Sequence, residues 1–397
     1  MEKRAPTEKT SIKYTRRTFL ISSAITLVHP IPTFPWIQKK GGASDIRGHI
    51  FKNDAPKTLW KWHTEAQIYH SLKNKNVVCG ICPNRCVLSP GDRSVCRSRV
   101  NIDGKLYTLA YGNPCSVNVD PIEKKPLYHF LPRSQAFSIA ATGCNLRCLN
   151  CQNWEISQAR PSDVRHYDLF PDAVITACEK YQCKSIAYTY SEATTWYEYM
   201  IDTAKRAQKK GIYNLWISNG YINPDPLNQL CQYLDGANVN LKSFDDAIYR
   251  KLNGGQLKPV LNTFKTLHKK NIHFEMTHLV VPEYVDQPSL FKDMCKWILD
   301  HLGPDHPLHV TRFFPKYKLT RLPSTPVSTL TEFRKIAINA GIRYVYVGNV
   351  VNHEGNHTYC HQCKKRIVAR MGYHIASYHI KNNQCEFCGT QIPGVWG

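Results

Sequence analysis

Three cysteines within eight residues form the first group whose types and spacing could do chemistry. The segment "ATGCNLRCLNCQNWEISQ" (141–158) contains the loop cysteines, Cys144, Cys148 and Cys151, spaced C-x3-C-x2-C. Zinc and most iron–sulfur clusters are held by four protein ligands. Three thiolates can hold three irons of a [4Fe–4S] cube, and the open fourth position is typical of a catalytic metal site. The alternative is that a distant cysteine or histidine completes a closed, structural site.

Eight other cysteines form two sets in which four thiolates could close around a metal. The N-terminal cysteine set is Cys79, Cys82, Cys86 and Cys96, and the C-terminal cysteine set is Cys360, Cys363, Cys385 and Cys388. The C-x2-C pairs of the C-terminal cysteine set favour a structural zinc ribbon over a second iron–sulfur cluster. The N-terminal cysteine set suits either zinc or an iron–sulfur cluster, as a structural staple or as an electron relay.

Composition and charge set broad limits on the class of protein. The 397 residues are 42% hydrophobic and 21% charged, which predicts a globular chain with a substantial core. The net charge is +22, but it is spread along the chain without a basic run between aromatic residues, so nucleic-acid binding is not favoured. Four of the remaining cysteines, in segments expected to be helical or next to a helix, are predicted to be small buried hydrophobic residues: Cys178, Cys183, Cys231 and Cys295.

The first 45 residues resemble an export signal. Arg16 and Arg17 precede a short apolar run that ends at Val28, too short to cross a bilayer as a helix. The paired arginines indicate the twin-arginine route, which carries folded proteins. A signal that stays uncut as an anchor is one alternative, and a cytoplasmic protein with a basic N-terminus is the other.

The elements that must position these cysteines alternate between strand and helix from residue 136 onward. Apolar runs at 136–142, 185–190, 213–218, 237–242, 273–281, 308–314 and 344–348 are separated by amphipathic segments. This alternation predicts an α/β fold with parallel strands, organised as a partial (β/α)6 TIM-like barrel. Two small Cys-rich metal-binding modules are expected to flank it. The predicted divisions are a leader (1–45), an N-terminal Cys-rich module (46–130), the partial barrel (131–350) and a zinc-ribbon-like module (351–397).

A known family shares these features. C-x3-C-x2-C after the first strand of a partial barrel resembles the radical SAM superfamily, in which S-adenosylmethionine (SAM) chelates the open iron of a [4Fe–4S] cluster. Longer motifs resemble the radical SAM member of the AmmeMemoRadiSam system, which is similar to pyruvate formate-lyase activating enzyme. Those motifs lie at 79–96, 119–130, 151–158, 188–199, 353–360 and 388–397.

The resemblance implies a set of SAM-contacting residues at the strand ends. Glu192, after the second strand, matches the family's glutamate that contacts the methionine amino group; a surface glutamate is the alternative. The other implied pocket residues end the third and fourth strands: Ser218, Asn219, Asn240, Lys242 and Ser243. Residues of the fifth strand (276–282) and Arg312 of the sixth are expected near adenine and substrate.

Three positions depart from the family pattern. Asn150 stands where an aromatic residue is usual, and Tyr190-Ser191-Glu192 replaces the usual Gly-Gly-Glu. Asn240 replaces a frequent aspartate. These departures concern the pocket around SAM and leave the cluster assignment unchanged.

The function implied by the resemblance is reductive cleavage of SAM to a 5′-deoxyadenosyl radical, which abstracts hydrogen from a substrate. The expected cofactors are a [4Fe–4S] cluster, SAM and zinc. The expected partners are a low-potential electron donor and, for an activase-like enzyme, a protein substrate. The two alternatives are a radical SAM enzyme that modifies RNA and an exported iron–sulfur electron carrier without SAM chemistry.

Overall fold

The computed structural model describes residues 50–397, so the leader with its paired arginines lies outside the described residues. The described residues belong to one compact unit. Its first part contains two small antiparallel sheets, with strand orders β1-β6-β5 and β2-β3-β4. Their strands are β1 (Thr64–Glu65), β2 (Tyr69–Ser71), β3 (Val77–Cys79), β4 (Val87–Leu88), β5 (Arg99–Ile102) and β6 (Lys105–Thr108).

The centre of the fold is an eight-stranded sheet in which neighbouring strands follow the order of the chain. Its strands are β7 (Ser116–Pro121), β8 (Gln135–Ala140), β9 (Ser185–Tyr188), β10 (Tyr213–Ser218), β11 (Gly236–Asn240), β12 (His273–Val280), β13 (Leu308–Arg312) and β14 (Val345–Gly348). Strands β8 to β14 pair in parallel, and β7 pairs antiparallel with β8.

Helices make the crossovers between the parallel strands. They are α1 (Trp154–Ser157), α2 (Pro171–Lys180), α3 (Tyr197–Lys209), α4 (Pro224–Leu230), α5 (Asp246–Ile248), α6 (Leu257–Lys269), α7 (Pro288–Leu302) and α8 (Val327–Ala340). Proline opens α2, α4 and α7, where its missing N–H is not needed and its fixed φ suits the first turn. All four residues of β9 are buried, as expected for a parallel strand inside such a sheet.

The α/β class and the parallel strands predicted from the sequence are confirmed. The sequence prediction missed β7, because its pairing with β8 decides its conformation rather than its own pattern "SVNVDP". The sheet is open between β7 and β14. Its curvature into a partial barrel, and the predicted division into modules, stay predictions.

The last part of the chain adds two small sheets, β15-β16-β17 and β18-β19. Their strands are β15 (Thr358–Tyr359), β16 (Arg366–Met371), β17 (His374–Tyr378), β18 (Ile380–Lys381) and β19 (Gln384–Cys385). A hydrophobic cluster joins this part to the central sheet; it includes Tyr346 of β14, Tyr344 directly before that strand, and Trp396. No helix among residues 50–397 is long and apolar enough to span a membrane.

A buried ion pair joins the N-terminal sheets to helix α3. The Arg99 guanidinium of β5 donates from Nη1 and Nη2 to the Glu198 carboxylate of α3 at 3.1 and 2.6 Å. Each side chain is 1% exposed. The backbone N–H of Gln67 also donates to Glu198, at 3.0 Å.

Replacing Glu198 with alanine is therefore expected to destabilise the protein by about 3–5 kcal/mol, since it leaves a buried guanidinium without its partner. The free energy of unfolding in denaturant measures this effect. Glu179→Ala, at an exposed position of α2, is the control and should change it by less than about 0.5 kcal/mol. A loss below about 1 kcal/mol for Glu198→Ala would show that the pair contributes little.

Buried titratable groups near the start of β12 predict that the stability of the fold depends on pH. Burial lowers the pKa of His129 from 6.5 to about 3. Burial opposes ionisation of Glu275, but hydrogen bonds from His273 and His309 outweigh it and hold the pKa of Glu275 below its ordinary value. Both groups take up protons more readily in the unfolded chain, so the free energy of unfolding falls as pH falls.

His129 alone is expected to lower the free energy of unfolding by about 2 kcal/mol between pH 7 and pH 5. Unfolding at these two pH values, for the wild type and for His129→Gln, isolates this contribution. The variant should lose less stability than the wild type over this range. Equal losses would show that His129 does not titrate differently in the folded and unfolded states.

Candidate iron–sulfur and SAM site

The carboxyl ends of four neighbouring strands bring together most of the candidate residues. The loop after β8 carries the loop cysteines, and Glu192 follows β9. Ser218 ends β10 and Asn240 ends β11. The strands pair in parallel, so these ends share one edge of the sheet. Side chains that are distant in sequence therefore converge on one loop.

Amide N–H groups point at the sulfurs of this loop. Cys144 Sγ accepts from the backbone of Leu146 at 3.4 Å and from Asn219 Nδ2 at 3.7 Å. Cys148 Sγ accepts from Asn253 Nδ2 at 3.2 Å. Hydrogen bonds to ligating sulfurs tune iron–sulfur clusters, so these contacts fit thiolate ligands.

Asn253 was not predicted from the sequence. It ends a π-helical turn, Tyr249–Asn253, that continues α5. Its carbonyl accepts from the backbone N–H of Arg147 at 2.8 Å, which fixes this turn against the cysteine loop. Single π-turns are frequent at functional sites, but a sequence pattern of period 3.6 does not reveal them.

Burial makes free thiolates costly at this site. It raises the pKa of Cys144 well above its ordinary value, and the negative charge of Glu192 adds to the effect. Burial also raises the pKa of Cys151 to about 11, and the Lys242 ammonium opposes this rise. Ionised thiols here therefore require a metal in place of the proton.

The loop cysteines lie close enough to influence one another. Cys148 and Cys151 contribute to the raised pKa of Cys144, after burial and the charge of Glu192. The raised pKa of Cys82 arises mainly from burial, with contributions from the other members of the N-terminal cysteine set.

The donor set fits an iron–sulfur cube better than a single ion. Among residues 50–397, the C-terminal cysteine set is the only group of three or more candidate ligands whose ligand atoms all lie within 4.8 Å of one another. The three sulfurs of the loop cysteines are therefore more widely spaced. A cube places irons and sulfides between its thiolates, so wider spacing is what it requires.

Glu192 is buried at these strand ends, with 2% of its surface exposed. The alternative prediction, that Glu192 is a surface residue, is therefore wrong. Its Oε1 accepts from Ser218 Oγ at 2.8 Å, and from the backbone N–H and hydroxyl of Thr194 at 3.1 and 2.7 Å. Its Oε2 accepts from the backbone N–H of Asn219 at 2.8 Å. A carboxylate oxygen has two lone pairs, so Oε2 keeps capacity for an ammonium donor.

The other predicted pocket residues differ in whether they contact the cysteine loop. Asn219 contacts the site directly, since its Nδ2 donates to Cys144 Sγ and to Asn145 Oδ1. Asn240 donates from Nδ2 to the carbonyl of Ser218 at 3.1 Å, so it braces β10 against β11. Among the described residues, Ser243 hydrogen-bonds only within its own turn, to the backbone of Asp245. Arg312 likewise donates to a nearby backbone carbonyl, that of Thr325, at 2.8 Å.

Two of the three departures from the family pattern have a visible structural setting. Tyr190 adopts φ +63°, a conformation that favours glycine, which accounts for the usual glycine at this position. Its hydroxyl is hydrogen-bonded to the buried Asp120, which also pairs with Lys125 at 2.6 Å. Asn150 is buried and its Oδ1 has no hydrogen-bond partner among the described residues.

Gly143 starts the cysteine loop in a conformation and a space that require glycine. Its φ is +106°, and a Cβ there would lie 2.3 Å from Ser98 Oγ and 2.6 Å from the carbonyl oxygen of Cys96. The backbone N–H of Glu192 donates to its carbonyl at 3.3 Å. Gly143 therefore lies where the cysteine loop, Glu192 and the N-terminal cysteine set meet.

Gly143→Ala is expected to reduce bound iron by more than half, because the added Cβ must displace the backbone at Cys96 and at the loop. The positive φ adds a backbone cost of about 1–3 kcal/mol. Iron per chain after anaerobic purification measures the effect. Gly211→Ala is the matched control, since Gly211 has φ +68° but no atom within 4 Å of the added Cβ. Wild-type iron content in Gly143→Ala would contradict the prediction.

The C-terminal cysteine set forms a compact four-sulfur site. The sulfurs of Cys360 and Cys388 are 3.7 Å apart, and those of Cys363 and Cys385 are 3.8 Å apart. A tetrahedral ion with metal–sulfur bonds of about 2.3 Å places its sulfurs about 3.8 Å apart. The expected four-thiolate set is therefore confirmed as a group. His361 is half-buried, and its Nδ1 lies 2.8 Å from the Tyr344 hydroxyl.

The predicted burial of the isolated cysteines holds for Cys178, Cys183 and Cys295, and Cys231 is partly buried. Cys178 and Cys295 lie on α2 and α7 and face the central hydrophobic cluster. These positions fit packing rather than ligation.

Comparison with known proteins identifies a matching domain family and a relative of similar length. The model of the Radical SAM superfamily matches residues 138–294. The chain is also 42% identical over 333 residues to Uncharacterized protein MJ0808 of Methanocaldococcus jannaschii. This alignment covers 83% of the chain and 99% of the relative.

Two solved structures show a weak likeness. A domain of pyruvate-formate lyase-activating enzyme from Bacteroides vulgatus is 13% identical with a TM-score of 0.36, covering 42% of this chain and 99% of that one. A radical SAM methyltransferase from Sphaerobacter thermophilus is 11% identical with a TM-score of 0.44, covering 59% and 71%. TM-scores below 0.5 indicate neither a shared reaction nor a shared substrate.

Proposed function

Because the chain belongs to the family of this archaeal relative and carries a radical SAM domain, we propose that it is a radical SAM enzyme that cleaves S-adenosylmethionine reductively. The loop cysteines would hold the [4Fe–4S] cluster. When bound and reduced, the cluster supplies the electron that splits SAM into methionine and a 5′-deoxyadenosyl radical. The radical would then abstract a hydrogen atom from the substrate.

One observation carries this proposal: three cysteines with widely spaced sulfurs, in the loop after β8, lie at the same strand ends as the buried carboxylate of Glu192 after β9. Three thiolates leave one iron of a cube without a protein ligand. The free lone pair of Glu192 Oε2 suits the methionine ammonium, in a charge-assisted hydrogen bond. Ser218, Thr194 and Asn219 hold that carboxylate in place through their own hydrogen bonds.

The chain's own residues would orient SAM and exclude water. Lys242 interacts electrostatically with Cys151, and a cation there suits the methionine carboxylate. Asn219 would hold both Cys144 and the Asn145 side chain of the cysteine loop. Asn240 and Ser243 hydrogen-bond to nearby backbone groups. They would shape the ribose side of the pocket by their position.

The finer assignment rests on the sequence motifs. We propose that the enzyme is the radical SAM component of an AmmeMemoRadiSam system and resembles an activase, with a protein as its substrate. A low-potential electron donor would be its other partner. The paired arginines at 16 and 17 support export by the twin-arginine route, which would carry the protein with its clusters already in place.

The C-terminal cysteine set is proposed to hold zinc. Its sulfur–sulfur distances of 3.7 and 3.8 Å equal those around a tetrahedral zinc ion. A site closed by four thiolates is structural, so it would stabilise residues 351–397 against the central sheet.

Product analysis tests the proposed function. The cluster is reconstituted anaerobically and reduced with dithionite, SAM is added, and 5′-deoxyadenosine and methionine are quantified. The proposal predicts both products in equal amounts. A reduced, intact cluster that forms neither would exclude radical SAM chemistry.

A further inference from the structure

The N-terminal cysteine set lies beside the loop cysteines and is not needed for the proposed cleavage. All four of its side chains line one small internal cavity. The cavity is also lined by Asn145 of the cysteine loop, and by Thr194 and Thr195, which follow Glu192. Cys79, Cys82 and Cys86 belong to the same hydrophobic cluster as the strands of the central sheet. The cavity is therefore part of the structure that carries the proposed SAM site.

The spacing of these four sulfurs distinguishes them from the C-terminal cysteine set. Within the described part of the chain, no three of them lie within 4.8 Å of one another, although they line a common cavity. Four thiolates around one zinc ion would stand about 3.8 Å apart. The wider spacing, which the loop cysteines share, suits a cluster of several irons.

Two arginines with unsatisfied N–H groups interact with the N-terminal cysteine set. Arg99 lines the cavity, and its Nε has no hydrogen-bond partner among the described residues, although its Nη1 and Nη2 are paired with Glu198. Arg147, inside the cysteine loop, is half-buried and interacts electrostatically with Cys86, Cys144 and Cys148. Its Nε and Nη1 are also without partners among residues 50–397. Positive charge that acts on both sets of cysteines favours the extra electron of a reduced cluster in either of them.

Direct contacts connect the two cysteine sites. Asn84, between Cys82 and Cys86, donates from Nδ2 to the carbonyl of Asn145 at 2.7 Å. Asn145 is bonded covalently to Cys144. A second contact lies at Gly143, which packs against the Cys96 carbonyl. One hydrogen bond and a continuous stretch of backbone and side-chain bonds thus connect the two cysteine sites.

We propose that Cys79, Cys82, Cys86 and Cys96 hold a second [4Fe–4S] cluster, which relays electrons to the cluster of the loop cysteines. Its relay role rests on the proposed function, whereas its metal content does not. A low-potential electron donor is oxidised by one electron, and the second cluster is reduced from the 2+ to the 1+ state. It returns to 2+ as the loop cluster is reduced. That electron breaks one S–C bond of SAM, giving methionine and the 5′-deoxyadenosyl radical, which takes a hydrogen atom from the substrate.

Metal content of the full-length protein tests the second cluster. With two cubes and one zinc, the anaerobically purified wild type should contain about eight irons and about one zinc per chain. The triple variant Cys144→Ala, Cys148→Ala, Cys151→Ala should keep about four irons and, once reduced, give an EPR signal that SAM does not change. About four irons and about two zincs in the wild type would overturn the proposal, even if the triple variant fails to fold.

The relay is tested with two reductants in the double variant Cys82→Ala, Cys86→Ala. For each protein, the rate of SAM cleavage with a flavodoxin-type protein donor is divided by the rate with dithionite. This ratio should be at least tenfold lower in the double variant than in the wild type. An unchanged ratio would overturn the relay.

In the wild type, rapid freezing after mixing with this donor should show the SAM-insensitive EPR signal no later than the SAM-sensitive one. The opposite order of the two signals would also overturn the relay. If a wild type with about eight irons does not cleave SAM, only the proposed function is overturned.

Discussion

Replacing Cys148 with alanine is expected to abolish formation of 5′-deoxyadenosine. Cys148 is one of only three thiolates available to the loop cluster, and it is buried with Asn253 donating to its sulfur. With two thiolates left, a cube would expose two irons and lose its attachment to the loop. The expected loss is at least about a thousandfold, which corresponds to about 4 kcal/mol in the barrier.

The matched control for this variant is Cys295→Ala. Cys295 is also buried but lies on α7 within the hydrophobic cluster. Its loss should lower stability slightly and leave SAM cleavage and iron content unchanged. Iron content, the EPR spectrum and 5′-deoxyadenosine are measured together for both variants. Wild-type amounts of 5′-deoxyadenosine from Cys148→Ala would place the reactive cluster elsewhere.

Replacing Glu192 with glutamine is expected to weaken SAM binding by about 10- to 150-fold, which corresponds to about 1.5–3 kcal/mol for a lost charged hydrogen bond. The substitution preserves the size of the side chain but removes the negative charge beside the predicted ammonium position. Equilibrium binding of SAM to the reconstituted protein gives the affinity, and iron content shows whether the cluster is retained.

Ser218→Ala separates a charge effect from a packing effect. It removes the 2.8 Å hydrogen bond to Glu192 Oε1 without changing the carboxylate charge. It should weaken SAM binding by less than tenfold, because three other hydrogen bonds to Glu192 remain. If Glu192→Gln keeps its cluster and binds SAM within twofold of the wild type, Glu192 has only a structural role.

Most of the central sheet follows from the sequence because its strands and helices carry strong local signals. The run "YNLWIS" is a strand at 213–218 as predicted, and the amphipathic segment after Pro288 is a helix. The antiparallel β7 could not be predicted in this way, since pairing with β8 decides its conformation rather than its own pattern. The π-turn that positions Asn253 is likewise set by its contacts with the cysteine loop.

The candidate site was predictable in its ligands but not in its surroundings. Cysteine spacing alone identified the three sets, since metal ligation restricts which residue types and separations can serve. The interaction of Arg147 with cysteines of both sets, and the contact of Gly143 with Cys96, depend on long-range packing. The sequence also left the metal of the N-terminal cysteine set open, and only the spacing of its sulfurs favours one of the two options.

The most direct test of the account is whether SAM itself occupies the open iron. The reduced wild-type protein is mixed with SAM labelled with ¹⁷O in its carboxylate or ¹⁵N in its amino group, and electron–nuclear double resonance spectra are recorded. The account predicts hyperfine coupling from both labels to the cluster of the loop cysteines, and loss of that coupling in Cys148→Ala. Labelled SAM that binds without any coupling would mean that a protein side chain occupies the fourth iron and that the site is closed.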